Sequence, residues 1–223
     1  MRARWTLLFV LGACASTPGP SSVGSVGRAS TDVRSPVAEA RAAAVARFPE
    51  LGDADWLATR LEQAAREGDA AAVQALVMLG APVDATNTSG RTALSLAAYH
   101  GHGAVIAALL DAGADPNLGD RLGLTPLMNA SFRGYEAEVE RLLEAGANVD
   151  ARSHTGQTAL MFAALFGRDV VYERLVARGA DVHTSDLLGH RPWMLRRLAD
   201  EGRAAERTLR RMLEDDVELF GGT

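Results

Sequence analysis

From about residue 53 onward the apolar residues recur on two scales at once. Locally they fall three or four apart, the spacing of one face of a helix. Over longer distances the same positions return at a fixed interval of about 33 residues: Leu61, Leu94, Leu127 and Leu160 form one row, and Leu76, Leu109, Leu142 and Leu175 another. Glycines keep the same interval. Gly68, Gly101, Gly134 and Gly167 are one series, Gly90, Gly123, Gly156 and Gly189 a second, and the Gly-Ala pairs beginning at Gly80, Gly113, Gly146 and Gly179 a third. A fixed period of this length predicts a solenoid of stacked supersecondary units.

Inside one period, "GRTALSLAAYHGHGAVIAALLDAGADPN" predicts a short helix from about Thr92 to His100, a glycine break, and a second, antiparallel helix from about Ala104 to Ala112. Gly113 stands where a helix C-terminus favours a left-handed residue, a conformation glycine adopts without a side-chain clash. The polar stretch from Asp115 to Gly123 then makes a hairpin-like link to the next unit. Alanine pairs such as Ala97-Ala98 and Ala163-Ala164 let neighbouring helices approach closely, while the leucine rows fill the core shared between units. A single unit would leave that core exposed.

The copies stand as "NTSGRTALSLAAYHGH", "DRLGLTPLMNASFRGY", "SHTGQTALMFAALFGR" and a degenerate "DLLGHRPWMLRRLADEG". They resemble the ankyrin-repeat signature D-x-x-G-x-T-P-L-H-x-A-A-x-x-G-H, with G-A-D-V-N further on, over about residues 53–217. The resemblance implies an all-α solenoid of helix-turn-helix units with hairpin-like loops and capping terminal repeats, about five including the caps. His102 is then the Gly-His position of the repeat, and the neighbouring pair His100 and His102, with no Cys or third His beside it, is not read as a metal site. The chain departs from the pattern where the histidine of Thr-Pro-Leu-His belongs, carrying Ser95, Met128, Met161 and Met194 instead. That departure bears on the usual Thr-to-His hydrogen bonding and so on stability. Asn129 falls in a row held by Leu96 and Phe162, and if buried it needs a polar partner. Residues 53–79 read as a truncated first repeat. At the other end Leu209, Met212, Leu213 and Val217 mark an inward stripe, with Arg203, Arg207, Arg210 and Arg211 on the solvated side of a cap and 218–223 as a tail.

In ankyrin proteins partners bind the concave face, built from finger tips and the variable end of the first helix. Carried onto this chain, the implied finger positions are Thr88, Ser89 and Arg91; Arg121, Leu122 and Leu124; His154, Thr155 and Gln157; and Leu187, Leu188 and His190. The implied helix-end positions are Tyr99 and His100, Phe132 and Arg133, and Leu165 and Phe166. Aromatic residues and Arg dominate interface energies, so Tyr99, Phe132, Arg133 and Phe166 on successive units are the expected anchors. The alternative is that these rings fold inward and pack the helix layer.

Composition narrows the chemistry. All 23 basic residues are Arg, which excludes a Walker-A phosphate loop and a Schiff-base lysine. With 28 acidic residues the net charge is -5, so nothing global draws the chain to nucleic acid or to an anionic membrane. There is no nucleophile with a partnered base, no His-Glu-x-x-His and no Gly-x-Ser-x-Gly, and Asp111, Asp115, Asp150 and Asp181 belong to helix ends and turns of the repeat. The expectation is a non-catalytic module with no cofactor and no metal.

The first residues differ from the rest. "MRARWTLLFVLGACAS" places Arg2 and Arg4 before a short apolar run that ends in small residues, the layout of a secretory signal. The run is well short of the roughly 20 residues of a permanent membrane span. Leu11-Gly12-Ala13-Cys14 resembles the bacterial lipobox, which implies cleavage of residues 1–13 and a lipid on Cys14, the single cysteine. The alternative is an ordinary signal cut after Ala15. Residues 14–34, rich in Ser, Gly and Pro, read as a flexible tether, and 35–52 as a possible helix started by Ser35-Pro36. The whole is expected to be an exported monomer, in the periplasm or at the outer membrane, that binds an unidentified protein and touches the membrane only through its lipid. Three jobs stay open: a scaffold for an envelope protein, an immunity-type inhibitor of a toxin or enzyme, and an enzyme with an unrecognised site.

Overall fold

The computed structural model describes residues 53–204. The expected signal, Cys14, tether and helix at 35–52 lie outside the described residues, as do Arg207, Arg210, Arg211, the stripe from Leu209 to Val217 and the tail.

Helices come in pairs: α1 (Ala54–Glu67) with α2 (Ala70–Met78), α3 (Ala93–His100) with α4 (Gly103–Asp111), α5 (Pro126–Arg133) with α6 (Glu136–Glu144), and α7 (Ala159–Leu165) with α8 (Asp169–Ala177). A further helix, α9, runs from 192 to the last described residue, 204. Among the described residues there is no β-strand, only an isolated bridge between Thr86 and Thr92 at the base of the first finger. The first helices of the pairs stack on one another in one layer and the second helices in another. Both leucine rows lie wholly buried between the layers, in one core that runs from Leu57 to Ala180. Full burial of each such leucine contributes about 1.5–3 kcal/mol. On the far side Leu195 of α9 closes over Met161 and Ala164.

The inner helices α3, α5 and α7 each begin at a threonine. Thr92 Oγ1 accepts from the Ser95 amide at 3.1 Å, Thr125 Oγ1 from Met128 at 3.4 Å and Thr158 Oγ1 from Met161 at 3.4 Å. Such a cap contributes about 1 kcal/mol. Because the donor is a main-chain N–H, the cap survives the loss of the family histidine. Met128 and Met161 fill that space as core residues, each 1% exposed. Asn129 is buried and has the polar partner it requires, donating from Nδ2 to Ser95 Oγ of the preceding unit at 2.9 Å.

The outer helices start differently. His102, Tyr135 and Arg168 occupy the N-cap positions of α4, α6 and α8, and none makes a side-chain cap bond. They reach back to the preceding unit instead. His102 Nε2 donates to the carbonyl of Arg66 at 3.1 Å and Arg168 Nε to that of Phe132 at 3.1 Å, both carbonyls in the last turn of an inner helix, where no intrahelical N–H is left to meet them. Tyr135 lays its ring on Gly101, whose φ is +76° and whose added Cβ would stand 2.8 Å from that ring. Glycine at this position therefore serves the left-handed cap and the fit of the next unit together.

Two hydrogen-bond rows tie unit to unit outside the helices. At the finger tips Arg121 N donates to Ser89 O at 3.2 Å, His154 N to Leu122 O at 2.9 Å and Leu187 N to Thr155 O at 3.0 Å. Below them, Asp115 N donates to Asp84 Oδ1 at 3.1 Å, Asn148 N to Asn117 Oδ1 at 2.7 Å and Asp181 N to Asp150 Oδ1 at 2.9 Å.

Candidate functional site

The finger tips are held by one recurring residue at the base of each turn. Asn87 Oδ1 accepts from the amides of Ser89 and Arg91, Asp120 Oδ1 from Leu122 and Leu124, and Asp186 Oδ1 from Leu188 and His190. Ser153 fills the same place in the third finger, where its Oγ accepts from Gln157 N at 3.1 Å. These bonds close each turn and push the tip residues outward. Thr88, Ser89, Arg121, Leu122, His154, Thr155, Leu187 and Leu188 are all exposed, the last two at 74% and 82%. Arg91, Gln157 and His190, on the returning limb of each finger, are half-buried. Leu124 packs its side chain against the core, so of the finger positions it offers least to a partner.

Beside the tips run the C-terminal ends of α3, α5 and α7. Phe162 and Tyr172 pack against the core, whereas Tyr99 and Phe132 pack on each other, their rings nearly parallel at 13° and 6.1 Å between centroids. Phe166 meets Phe132 edge to face at 4.5 Å. The helix α7 ends one residue earlier than its equivalents, so Phe166 is its C-cap residue, and there it stands 42% exposed beside Leu165. His100 lies against Tyr99 at 5.2 Å and stacks on His102 at 5.9 Å. One continuous line of rings thus crosses three units: His102, His100, Tyr99, Phe132, Phe166. The rings do not turn into the core.

Arginines flank this line. Arg133 lies over Tyr99 at 5.3 Å and over Tyr135 at 5.7 Å, and it donates to the Tyr135 hydroxyl at 3.3 Å. Arg91 lies over Tyr99 at 5.9 Å and reaches Asp120 at 3.4 Å. The hydrogen bond to Tyr135 raises the Arg133 pKa further above its usual range. His100 is held below the usual histidine value, by partial burial first and then by His102, Arg66, Arg133 and Arg91. Burial pushes Asp186 up, but hydrogen bonds from the His190 ring and from the His190 and Leu188 amides outweigh it and hold the carboxyl below its ordinary value.

The expected positions therefore fall at the finger turns and at the C-terminal ends of α3, α5 and α7. Sequence reasoning missed Tyr135, which fixes Arg133. The available signal was its place in the row of His102 and Arg168, two residues past the helix end. It also passed over Trp193, which stands exposed near the last finger. Among the described residues no three His, Cys, Asp or Glu side chains converge as metal ligands, and no helix is long and apolar enough to cross a membrane. What the arrangement offers is apolar contact and a set of N–H donors.

A family model described as ankyrin repeats matches the chain in three copies, over residues 61–153 and 105–186. No curated protein matches it.

Proposed function

The chain belongs to the ankyrin-repeat family, and from that premise we propose that it is an exported protein, anchored by a lipid on Cys14, that holds a partner protein against Tyr99, Phe132 and Phe166. Ankyrin repeats are protein-protein interaction modules. The observation that carries the choice of surface is the unbroken contact from Tyr99 through Phe132 to Phe166 across three units, with Phe166 still 42% exposed. Rings held by one another lose little freedom on binding, so an apolar partner side chain meets them at low entropic cost. Export and anchoring rest on the amino-terminal pattern that ends in Leu11-Gly12-Ala13-Cys14.

The test is a capture from native envelope with the full chain, beside a Tyr99→Ala, Phe132→Ala, Phe166→Ala variant whose fold is checked by circular dichroism. A protein held by the wild type and lost from the variant establishes the surface, and its identity decides between a scaffold and an inhibitor. Equal capture by both refutes it. Cys14→Ser should leave the fold intact and move the protein from the membrane fraction to the soluble one. Retention of that variant in membranes refutes the anchor.

A further inference from the structure

Arginines of the outer helices α6 and α8, and Arg196 of α9, are neutralised inside the molecule. Arg141 faces Glu138 at 3.7 Å, Arg174 pairs with Glu136 and Glu140, Arg178 with Glu140 and Glu144, and Arg196 with Asp169 at 3.2 Å and Glu173 at 3.4 Å. The side that carries the rings is built the other way. Arg121, Arg133, His100 and His154 are exposed there, and among the described residues none of them has a carboxylate within ion-pair distance. The acids at the bases of the fingers are buried and already engaged, Asp120 with Arg91 and Asp186 with His190. In the helix-end rows the one acid is Glu67, at the first unit, held by Gln63 Nε2 at 2.9 Å. A protein of net charge -5 thus leaves two arginines, Arg121 and Arg133, without a carboxylate partner among the described residues on its ring-bearing side.

We propose that the partner presents a segment in which carboxylate side chains alternate with apolar ones, the carboxylates meeting Arg133 and Arg121 and the apolar groups lying on Tyr99, Phe132 and Phe166. This rests on the reading of the surface above and names the chemistry of what binds it. Arg133 is the chief element, because Tyr99 and Tyr135 fix its plane while leaving donors of its fork unused, and a planar fork of donors matches a carboxylate in two-point geometry. Exposed ion pairs contribute little one at a time. The rings therefore supply most of the affinity, and the cations supply selectivity and rate of encounter. His100 is held below the usual histidine value by burial first, with His102, Arg66, Arg133 and Arg91 adding to it. A nucleic acid fits less well. Stacked bases need open ring faces, but Tyr99 and Phe132 face one another and two guanidinium groups lie over Tyr99, so the row presents mainly edges.

The full chain, labelled with nitrogen-15, is titrated by NMR with short peptides that alternate Phe with Glu, Phe with Ser or Phe with Lys, and with a uridine oligonucleotide. The Glu-Phe peptide should bind, with shifts centred on Arg121, Arg133 and Tyr99. Arg133→Gln should weaken it about two- to fivefold, the loss of one exposed ion pair, whereas Arg141→Gln on the outer helix should leave it unchanged. Raising salt from about 0.05 M to about 0.5 M should weaken the Glu-Phe peptide and spare the Ser-Phe peptide. Equal affinity for these two peptides at the same rings overturns the acidic preference and leaves the ring surface standing. Glu-Phe binding that persists in the Tyr99→Ala, Phe132→Ala, Phe166→Ala variant overturns the ring surface itself. No binding by any peptide, or a preference for Lys-Phe or for the oligonucleotide, overturns the proposal.

Discussion

The hydrogen bond from Asn129 to Ser95 joins two inner helices across a unit boundary, and its removal offers a sharp test of how the stack is held. Asn129 is 7% exposed and Ser95 1%, with 2.9 Å between Nδ2 and Oγ. Ser95→Ala deletes the acceptor and leaves a buried amide donor unmet, a cost of about 1–3 kcal/mol. The better helix propensity of alanine returns up to about 0.5 kcal/mol, so the expected net loss is about 1–2 kcal/mol. Asn129→Leu restores the apolar type that Leu96 and Phe162 show in the same row. The stranded Ser95 hydroxyl then has its own helix carbonyl within reach as an acceptor. With both substitutions no polar atom of the pair remains, and the double variant should be as stable as the wild type or more so. Urea unfolding followed by circular dichroism reads the effect as a shift of midpoint at constant slope. In thermal unfolding each kcal/mol corresponds to about 2–4 °C for a chain of this size. If Ser95→Ala is neutral, or if the double variant loses the sum of the two single losses within about 0.5 kcal/mol, the pair is not coupled and the reasoning fails.

Two further predictions concern the fingers and the rings. Gly90→Ala should destabilise more than Gly113→Ala. Both have positive φ and share a penalty of about 1–2 kcal/mol, but a Cβ at Gly90 would stand 2.8 Å from the main-chain nitrogen of Arg121, whereas nothing lies within 4 Å at Gly113. Equal losses in urea unfolding would show that the tip contact is looser than it looks. His100 should titrate below 6.5 by NMR, and Arg133→Gln should bring it closer to that value. Since its folded value is lowered, the folded state binds fewer protons in that window. The contribution of this group to stability is therefore full above pH 6.5 and declines as pH falls through the folded value. An unchanged titration in the variant would remove Arg133 from the causes of the shift.

The fold was legible because every constraint repeats. The Thr92, Thr125 and Thr158 caps, the left-handed Gly101 and Gly134 and the two leucine rows each recur once per period, so an error at one copy is corrected by the next. The spacing predicts a start near Ala104 for the second helix of its pair, and the helix begins at Gly103, because His102 takes the N-cap place. Side-chain pairings were far less legible. That Tyr135 holds Arg133 depends on side-chain directions at a helix end, and that His102 and Arg168 answer carbonyls of the previous unit depends on distances between units that no period reveals. The ring line follows from family positions rather than from any property of the residues themselves. That Phe166 is a C-cap residue, because α7 stops one residue early, is a detail no spacing rule predicts.

The finger and loop bonds described above have a consequence for how such a chain changes length over generations. In both rows each bond that crosses from one unit to the next is matched by an equivalent one period later, and every donor is a main-chain N–H. A duplication or loss of one whole period therefore rejoins the same kinds of bond in the same register, wherever within the period the breakpoints fall. A gain or loss of any other size throws both rows out of step. Such a chain tolerates mutation by whole copies far better than by single residues. Each copy gained or lost also adds or removes one finger and one helix end along the stack, so the length of that edge is inherited in the same steps.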